Sequence, residues 1–204
     1  MLVVGITGTV GAGKSTVGRL FERWGARRID ADRLAREAVA PGSPALEAIV
    51  DEWGGEVLAD DGSLDRAALR ERVFGDPEAR ERLEAIVHPE VRRLREERLR
   101  EAREEGVEIV VGEVPLLFET GMAEAFDLVV AVDAPVEERR RRLRATRDLS
   151  RETFEAIESA QWAGERKRAA ADLVIVNDGT PEELEEAARE AWRTIRSRAG
   201  GEER

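Results

Sequence analysis

The chain has 204 residues, a formal net charge of −11, one histidine and no cysteine. This length fits one domain or a core with inserted lobes, and the acidic balance argues against a surface that collects nucleic acid. Without cysteine, disulfides and thiolate metal sites are excluded. No apolar run approaches the roughly 20 residues that span a bilayer and no leader precedes the first strand, so we expect a cytoplasmic protein without nucleic-acid or membrane partners.

The first predicted element is a short strand that leads into a glycine-rich turn. Residues 2–6 form an apolar, β-branched run, and residues 8–16 read Gly-Thr-Val-Gly-Ala-Gly-Lys-Ser-Thr, which fits the pattern G-x-x-x-x-G-K-[ST]. Residues 17–24 then carry apolar side chains at helical spacing. A strand, this turn and a helix in that order are typical of a phosphate-binding loop. The alternative is a chance match, which the correct flanking elements disfavour.

Each part of such a loop has a physical role. Backbone N–H groups point inward, the helix dipole adds partial positive charge, and Lys14 can reach the β- and γ-phosphates. The hydroxyl of Ser15 is placed to ligate Mg²⁺. The sequence therefore predicts binding of a nucleoside triphosphate together with Mg²⁺.

Two aspartates follow the second predicted strand, a short run at residues 27–29. Asp30 and Asp32 would emerge at the carboxyl edge of the sheet, where ligands of open α/β sheets bind. A carboxylate there can accept the proton of a substrate hydroxyl, or ligate Mg²⁺ directly or through water. The alternative is that Asp30 or Asp32 caps the helix that starts near Arg33. Spacing alone leaves these roles open.

Between Asp32 and Gly106 the pattern is helical, without a convincing strand, which indicates an inserted helical lobe. Helices are predicted at residues 45–53, 66–74, 77–86 and 90–105. His88 and Pro89 stand between the last two. A proline in the first turn of the next helix explains the pair, which favours a positioning role for His88 over a catalytic one.

Three later strands are predicted at residues 107–111, 127–132 and 172–176. Strands that alternate with helices indicate an α/β protein with a parallel, five-stranded sheet covered on both faces. Residues 136–170 form a second insertion that is rich in arginine. A mobile arginine-rich segment can close over a triphosphate and neutralise charge in the transition state, whereas the alternative is a solvated helix face. The last helix is predicted at residues 181–198, with Thr180 as its N-cap.

The remaining strings distinguish between classes of phosphate-loop protein. A guanine-reading Asn-Lys-x-Asp string is missing, since the nearest string is Asn177-Asp178-Gly179. Motor-type ATPases usually carry adjacent acidic residues at the end of a hydrophobic strand, and here Glu113 is only a weak candidate for that position. A small-molecule kinase with two inserted segments is favoured.

Several strings, in this order, carry a resemblance to one family: Gly5-Ile6-Thr7-Gly8 with the phosphate loop, Ile29-Asp30-Ala31-Asp32, Asp61-Gly62-Ser63-Leu64-Asp65-Arg66, His88-Pro89, Pro115-Leu116-Leu117-Phe118-Glu119, Gln161, Lys167, and residues 171–179. The chain resembles dephospho-coenzyme A kinases over nearly its whole length. The resemblance implies ATP- and Mg²⁺-dependent phosphorylation of the ribose 3′-hydroxyl of dephospho-coenzyme A (dephospho-CoA), the last step of coenzyme A synthesis. Another small-molecule kinase, with a nucleoside, nucleotide or sugar-acid acceptor, and a nucleotide-gated binding module are the alternatives.

The resemblance also implies an organisation and a set of site residues. It implies one phosphate-loop kinase domain over residues 1–204, similar to nucleoside-monophosphate kinases, with an acceptor-binding lobe at about 33–105 and a lid at about 136–170. We expect a monomer. The phosphates of ATP would bind Gly11, Ala12, Gly13, Lys14, Ser15 and Thr16, with Asp32 as the base and Asn177 and Gly179 near adenine.

The candidates for the lid and the acceptor site are less closely defined. Where the family usually carries an arginine four residues before the Arg147-Asp148 pair, this chain has Leu143. The lid arginine therefore stays open among Arg139, Arg142 and Arg147. Arg66, Arg70 and His88 are candidates for acceptor binding, although both arginines also fit ordinary surface positions.

Overall fold

The computed structural model describes residues 1–147 and 150–202. Its centre is a parallel five-stranded sheet with the strand order β2-β3-β1-β4-β5. The strands are β1 (Leu2–Gly8), β2 (Arg27–Asp30), β3 (Ile109–Glu113), β4 (Leu128–Asp133) and β5 (Leu173–Val176). All five predicted strands are confirmed, and so is the parallel α/β class.

Most of the described helices lie between strands, in two groups after β2 and β4, and the last follows β5. In chain order they are α1 (Lys14–Arg23), α2 (Ala31–Glu37), α3 (Pro44–Trp53), α4 (Arg66–Val73), α5 (Pro77–Glu104), α6 (Val136–Arg147), α7 (Arg151–Ser159), α8 (Gly164–Ala170) and α9 (Pro181–Ala199). Short 3₁₀ turns lie at Gly55–Val57, Met122–Ala125 and Gly200–Glu202. Thr180 caps α9 in a reciprocal capping box with Glu183, as predicted. Among the described residues, no helix is both long enough and apolar enough to cross a membrane.

The first residues of the chain are apolar because they form the central strand β1, which is buried. All seven of its residues are buried: β3 and β4 pair with its two edges, and helices α1 and α8 contact it. Helices α1 and α9 contribute to the core that covers the sheet, where the rings of Phe21 and Trp192 stack with centroids 5.4 Å apart. A strand buried on both faces reads as a continuous apolar run. This core fixes the carboxyl end of β1, where the glycine-rich turn begins.

The chain divides into two compact units, residues 1–29 with 102–204, and residues 30–101. The first unit contains nearly the whole sheet together with helices α1 and α6 to α9. The second is helical and has its own core, centred on Val39, Ile49, Val57 and Leu69. That this helical unit binds an acceptor, and that residues 136–170 form a lid, stay predictions.

One helix boundary differs from the sequence prediction. A break was expected between residues 86 and 90, but α5 runs without interruption from Pro77 to Glu104, and Pro89 lies inside it. A proline within a helix removes one hydrogen bond and crowds the preceding turn, which is why a break was expected. The prediction was wrong because strong helix formers on both sides of Pro89 outweigh this cost. Glutamate, arginine, leucine and alanine dominate α5. His88 is therefore a mid-helix residue.

Candidate active site

The glycine-rich turn joins the buried end of β1 to the first turn of α1. Gly11 and Gly13 have φ angles of 77° and 102°, in the left-handed region that side chains rarely adopt. A Cβ atom on Gly13 would lie 2.4 Å from Nδ2 of Asn177. Both conformation and space therefore require glycine at position 13.

Lys14 extends back over this turn. Its ammonium donates hydrogen bonds to the carbonyl oxygens of Gly8 and Thr9, each at 2.9 Å. The first intrahelical bonds are donated by the N–H groups of Thr16 and Val17 to Gly13, at 3.0 and 3.1 Å. The preceding N–H groups, at the positive end of the helix dipole, are those that bind anions at a helix N-terminus. The turn thus combines a cation with N–H donors.

The residues at this turn could hold Mg²⁺ together with a bound phosphate. Ser15 is exposed on the first turn of α1, and its hydroxyl is an oxygen ligand of the type that Mg²⁺ prefers. Within residues 1–147 and 150–202, no group of three or more acidic or histidine side chains is arranged to hold a metal ion. Mg²⁺ in phosphate-transfer sites commonly takes most of its ligands from phosphates and water.

Three side chains from later in the chain hold the backbone of the turn. Nη1 of Arg139 donates to the carbonyl of Val10 at 3.3 Å, and Nδ2 of Asn177 donates to the carbonyl of Ala12 at 2.8 Å. The N–H of Val10 donates to Oε1 of Gln161 at 2.8 Å. Arg139 and Asn177 were predicted for the lid and for adenine. Sequence reasoning gave no role to Gln161, and only the family resemblance pointed to it.

A buried ion pair lies next to this support. Nζ of Lys167 is 2.8 Å from Oε1 of Glu119 and donates to the carbonyl of Pro115 at 2.7 Å. Glu119 also accepts the N–H of Trp162 at 2.7 Å. Burial would raise the pKa of Glu119, but the hydrogen bonds from Lys167 and Trp162 outweigh it and lower the pKa. Sequence reasoning missed this pair, although Lys167 is one of only two lysines among 33 basic residues.

The two aspartates after β2 have different surroundings. The carboxylate of Asp30 caps α2, because its Oδ1 accepts the N–H groups of Asp32 and Arg33 at 3.0 and 3.2 Å. The side chain of Asp32 is exposed and has no hydrogen-bond or salt-bridge partner among the described residues. Capping therefore explains Asp30 and leaves the carboxylate of Asp32 available to a substrate.

The glutamate at the end of β3 is occupied by an arginine. Oε1 of Glu113 accepts a hydrogen bond from Nε of Arg28 at 2.6 Å, and its side chain is only 8% exposed. A carboxylate paired in this way does not resemble the open acid of a motor-type ATPase. The kinase interpretation is strengthened.

The arginines of α6 differ sharply in exposure. The side chain of Arg139 is 5% exposed and pairs with Glu158, whereas that of Arg141 is 74% exposed. Arg142 is half-buried, with a guanidinium nitrogen 3.9 Å from Glu138. Arg147 is the last residue of α6, and its side chain lies outside the described part of the chain.

The helical unit contains a cavity of about 240 Å³. Its lining is mainly apolar, including Val39, Ile49 and Leu69, with Arg66, Glu84 and His88 contributing polar groups. Two of the three acceptor candidates therefore line one cavity. Arg70 lies one turn further along α4 and is exposed.

A parallel five-stranded sheet with a glycine-rich loop between its central strand and a helix defines a phosphate-loop nucleotide-binding protein. A family model described as dephospho-CoA kinase matches residues 2–183. The chain is similar to the dephospho-CoA kinases of Thermobifida fusca (46% identity over 97% of this chain and 98% of the relative) and Geobacter sulfurreducens (47% over 94% and 98%). The solved dephospho-CoA kinase of Campylobacter jejuni is 25% identical, with a TM-score of 0.68, and the match covers 95% of this chain and 96% of that one. The chain belongs to the dephospho-CoA kinase family.

Proposed function

We propose that this protein transfers the γ-phosphoryl group of ATP to the ribose 3′-hydroxyl of dephospho-CoA, giving coenzyme A and ADP. The observation that carries the proposal is the match of residues 2–183 to the dephospho-CoA kinase family, on a chain whose phosphate loop is complete. Under this proposal the reaction is the last step of coenzyme A synthesis. No observation favours a nucleoside or sugar-acid acceptor instead.

The donor half of the reaction belongs to the glycine-rich turn. Gly11 to Thr16 would bind the phosphates of ATP, chiefly through the N–H groups that precede the first intrahelical bonds, and Lys14 would stabilise negative charge on the transferring group. Ser15 would ligate Mg²⁺, which when bound neutralises charge on the β- and γ-phosphates. Gly179, exposed after β5, remains the candidate contact for adenine.

Asp32 is the proposed general base. It would accept the proton of the 3′-hydroxyl as that oxygen forms a bond to the γ-phosphorus, while the bond from the γ-phosphorus to the bridging oxygen of ADP breaks. The carboxylate is exposed and Asp30 supplies the helix cap, so no local structural role competes for Asp32. These observations support the base over the capping alternative.

The apolar cavity of the helical unit is the proposed acceptor subsite. An apolar lining with a few polar groups suits a ligand with an aliphatic arm and charged phosphates. Arg66 would pair with acceptor phosphate and His88 would donate a hydrogen bond. Arg70 is a second candidate for phosphate on the same helix.

Arg142 and Arg147 are the proposed lid arginines. A lid cation must reach the transferring phosphoryl group and help to exclude water, which would otherwise accept the phosphoryl group itself. The guanidinium of Arg139 is already engaged by Ala134, Val10 and Glu158, which favours a supporting role for that residue.

A coupled assay for ADP tests the proposed function. Mg-ATP is incubated with the enzyme alone, with dephospho-CoA, and with AMP or shikimate as competing acceptors, and the product is analysed by mass spectrometry. We expect ADP only with dephospho-CoA, in equal amount to a product that gains one phosphoryl group at the 3′ position. Preferential use of AMP would identify a nucleotide kinase, and ATP binding without acceptor-dependent ADP would identify a binding module.

Three further proposals concern the state of the protein in the cell. A monomer, a cytoplasmic location and the lack of a nucleic-acid partner stay predictions, and the net charge of −11 supports the last of them. Light scattering after size exclusion tests the first, and fractionation of cells tests the second.

A further inference from the structure

We infer that Arg139, Gln161 and Asn177 are positioning residues that shape the phosphate loop and thereby set its affinity for polyphosphate. The inference rests on the proposed function only in that the loop binds a nucleoside triphosphate. It does not depend on the acceptor. It also gives Arg139 and Asn177 a role different from closing a lid or contacting adenine.

The role of Arg139 follows from the geometry of the peptide group. In a planar trans peptide the carbonyl and the N–H point in opposite directions. Arg139 donates to the carbonyl of Val10, so it fixes the plane shared by Val10 and Gly11. The N–H of Gly11 is thereby turned away from Arg139, and Gly11 is the first residue of the segment proposed to bind phosphate.

Asn177 acts in the same way two residues later. It donates to the carbonyl of Ala12 at 2.8 Å and so orients the N–H of Gly13. Only 6% of Asn177 is exposed, and its own N–H donates to the carbonyl of Asp133 at 2.7 Å. The side chain fills the space beside Gly13, where a Cβ would lie only 2.4 Å away.

Gln161 fixes the peptide group between Thr9 and Val10. Its Oε1 accepts the N–H of Val10 at 2.8 Å. The next residue, Trp162, donates its N–H to Glu119, which in turn pairs with buried Lys167. Gln161 is thus next in the chain to a residue whose backbone is held by this polar network.

Arg139 is also held in place from several directions. Its Nε donates to the carbonyl of Ala134 at 3.0 Å, Nη2 pairs with Glu158, and the guanidinium lies 5.5 Å from the ring centre of Phe154. A donor fixed in this way can define the orientation of its acceptor. Three peptide groups of the loop are therefore set by side chains that are themselves ordered.

Preorganised donors bind an anion without the entropy cost of ordering the loop. Removing one support should therefore weaken binding of the polyphosphate as a whole. The base moiety of ATP should matter little to this loss. That expectation separates a role in loop geometry from a contact with adenine.

The test compares ATP with inorganic tripolyphosphate by isothermal titration calorimetry, with Mg²⁺ held constant. The variants are Arg139→Met, Gln161→Met and Asn177→Leu, and Arg141→Met is the matched control because it is the same substitution at an exposed position of α6. We expect each of the three to raise Kd for ATP and for tripolyphosphate by a similar factor of roughly tenfold, the loss of about one hydrogen bond. The control should leave both values unchanged.

Other outcomes would overturn the inference for the residue concerned. If Asn177→Leu weakens ATP but leaves tripolyphosphate unchanged, Asn177 contacts adenine. If Arg139→Met leaves both dissociation constants unchanged but lowers turnover, Arg139 acts as a lid residue. Gln161→Met creates no unpaired buried charge, so it tests the inference even if Arg139→Met does not fold, and an unchanged tripolyphosphate Kd in this variant would refute it.

Discussion

Oδ1 of Asp30 accepts the N–H of Asp32 at 3.0 Å, so the carboxylate of Asp30 caps α2 while that of Asp32, two residues later, is exposed. From the spacing alone, either residue could be the cap or the base. Since one carboxylate caps α2, the other has no local structural role. Substitution of Asp30 should therefore lower stability, whereas substitution of Asp32 should lower turnover.

Asp32→Asn should lower turnover with dephospho-CoA by about 10²- to 10⁴-fold, because the amide cannot accept the proton of the attacking hydroxyl. Stability and the affinity for ATP should change little. Steady-state kinetics and calorimetric titration with ATP measure the two effects. Asp30→Ala serves as the comparison, since loss of the cap should cost about 1 kcal/mol of unfolding free energy. Turnover of the Asp32→Asn variant within a few-fold of the original enzyme would exclude Asp32 as the base.

Gly13→Ala should impair ATP binding more than Gly25→Ala does. Both glycines have positive φ, at 102° and 111°, so alanine at either position brings backbone strain of about 1–2 kcal/mol. A Cβ at position 25 meets no atom within 4 Å, whereas at position 13 it displaces Asn177. We expect Gly25→Ala to lose stability alone and Gly13→Ala to lose ATP affinity as well. Equal ATP affinities in the two variants would contradict the proposal that Asn177 shapes the loop at Gly13.

The pair of Lys167 and Glu119 should make stability depend on pH in the acidic range. The pKa of Glu119 is lowered in the folded state, so its contribution is fully present above the pKa of the unfolded chain and is lost as pH falls through the folded value. Urea unfolding of the enzyme and of Glu119→Gln, at several values from neutral pH downward, measures this contribution. The two stability curves should converge as the medium becomes more acidic. Parallel curves would mean that Glu119 does not contribute.

The parts of the fold that could be predicted are those encoded locally. Strand β1, the glycine-rich turn and helix α1 follow one another in the sequence, and periodicity and glycine spacing identify each of them. Asn177 and Lys167 illustrate the opposite case. Each makes its decisive contact with a distant part of the chain, and a residue type alone does not indicate its partner.

The arginine run of α6 shows a second limit. Consecutive arginines point in all directions around a helix, so the sequence did not tell which one would be buried. Packing selects Arg139, because it alone among Arg139, Arg140 and Arg141 reaches the carbonyl of Val10 in the described structure. The sequence indicated an arginine-rich insertion here, but the burial of one cation depends on tertiary contacts.

Pro89→Ala should stabilise the protein, because α5 continues through this position. Alanine restores an N–H donor and removes the clash of the ring with the preceding turn, which can cost about 3 kcal/mol in a helix interior. We expect a gain of roughly 1–3 kcal/mol in unfolding free energy by urea denaturation. A loss of stability would show that the ring of Pro89 makes packing contacts that outweigh the missing hydrogen bond.

Arg66→Met should raise KM for dephospho-CoA by roughly tenfold, because one charge-assisted hydrogen bond to an acceptor phosphate is lost. Kd for ATP should stay unchanged, because Arg66 is proposed to contact only the acceptor. Arg80→Met is the matched control, an exposed arginine of the same unit that does not line the cavity.

The cavity beside Arg66 is lined by the apolar side chains of Val39, Ile49 and Leu69, which would hold the aliphatic arm of the acceptor. Shortening that arm in a truncated acceptor should therefore raise KM in the original enzyme, and if neither Arg66→Met nor truncation changes KM, the acceptor binds elsewhere.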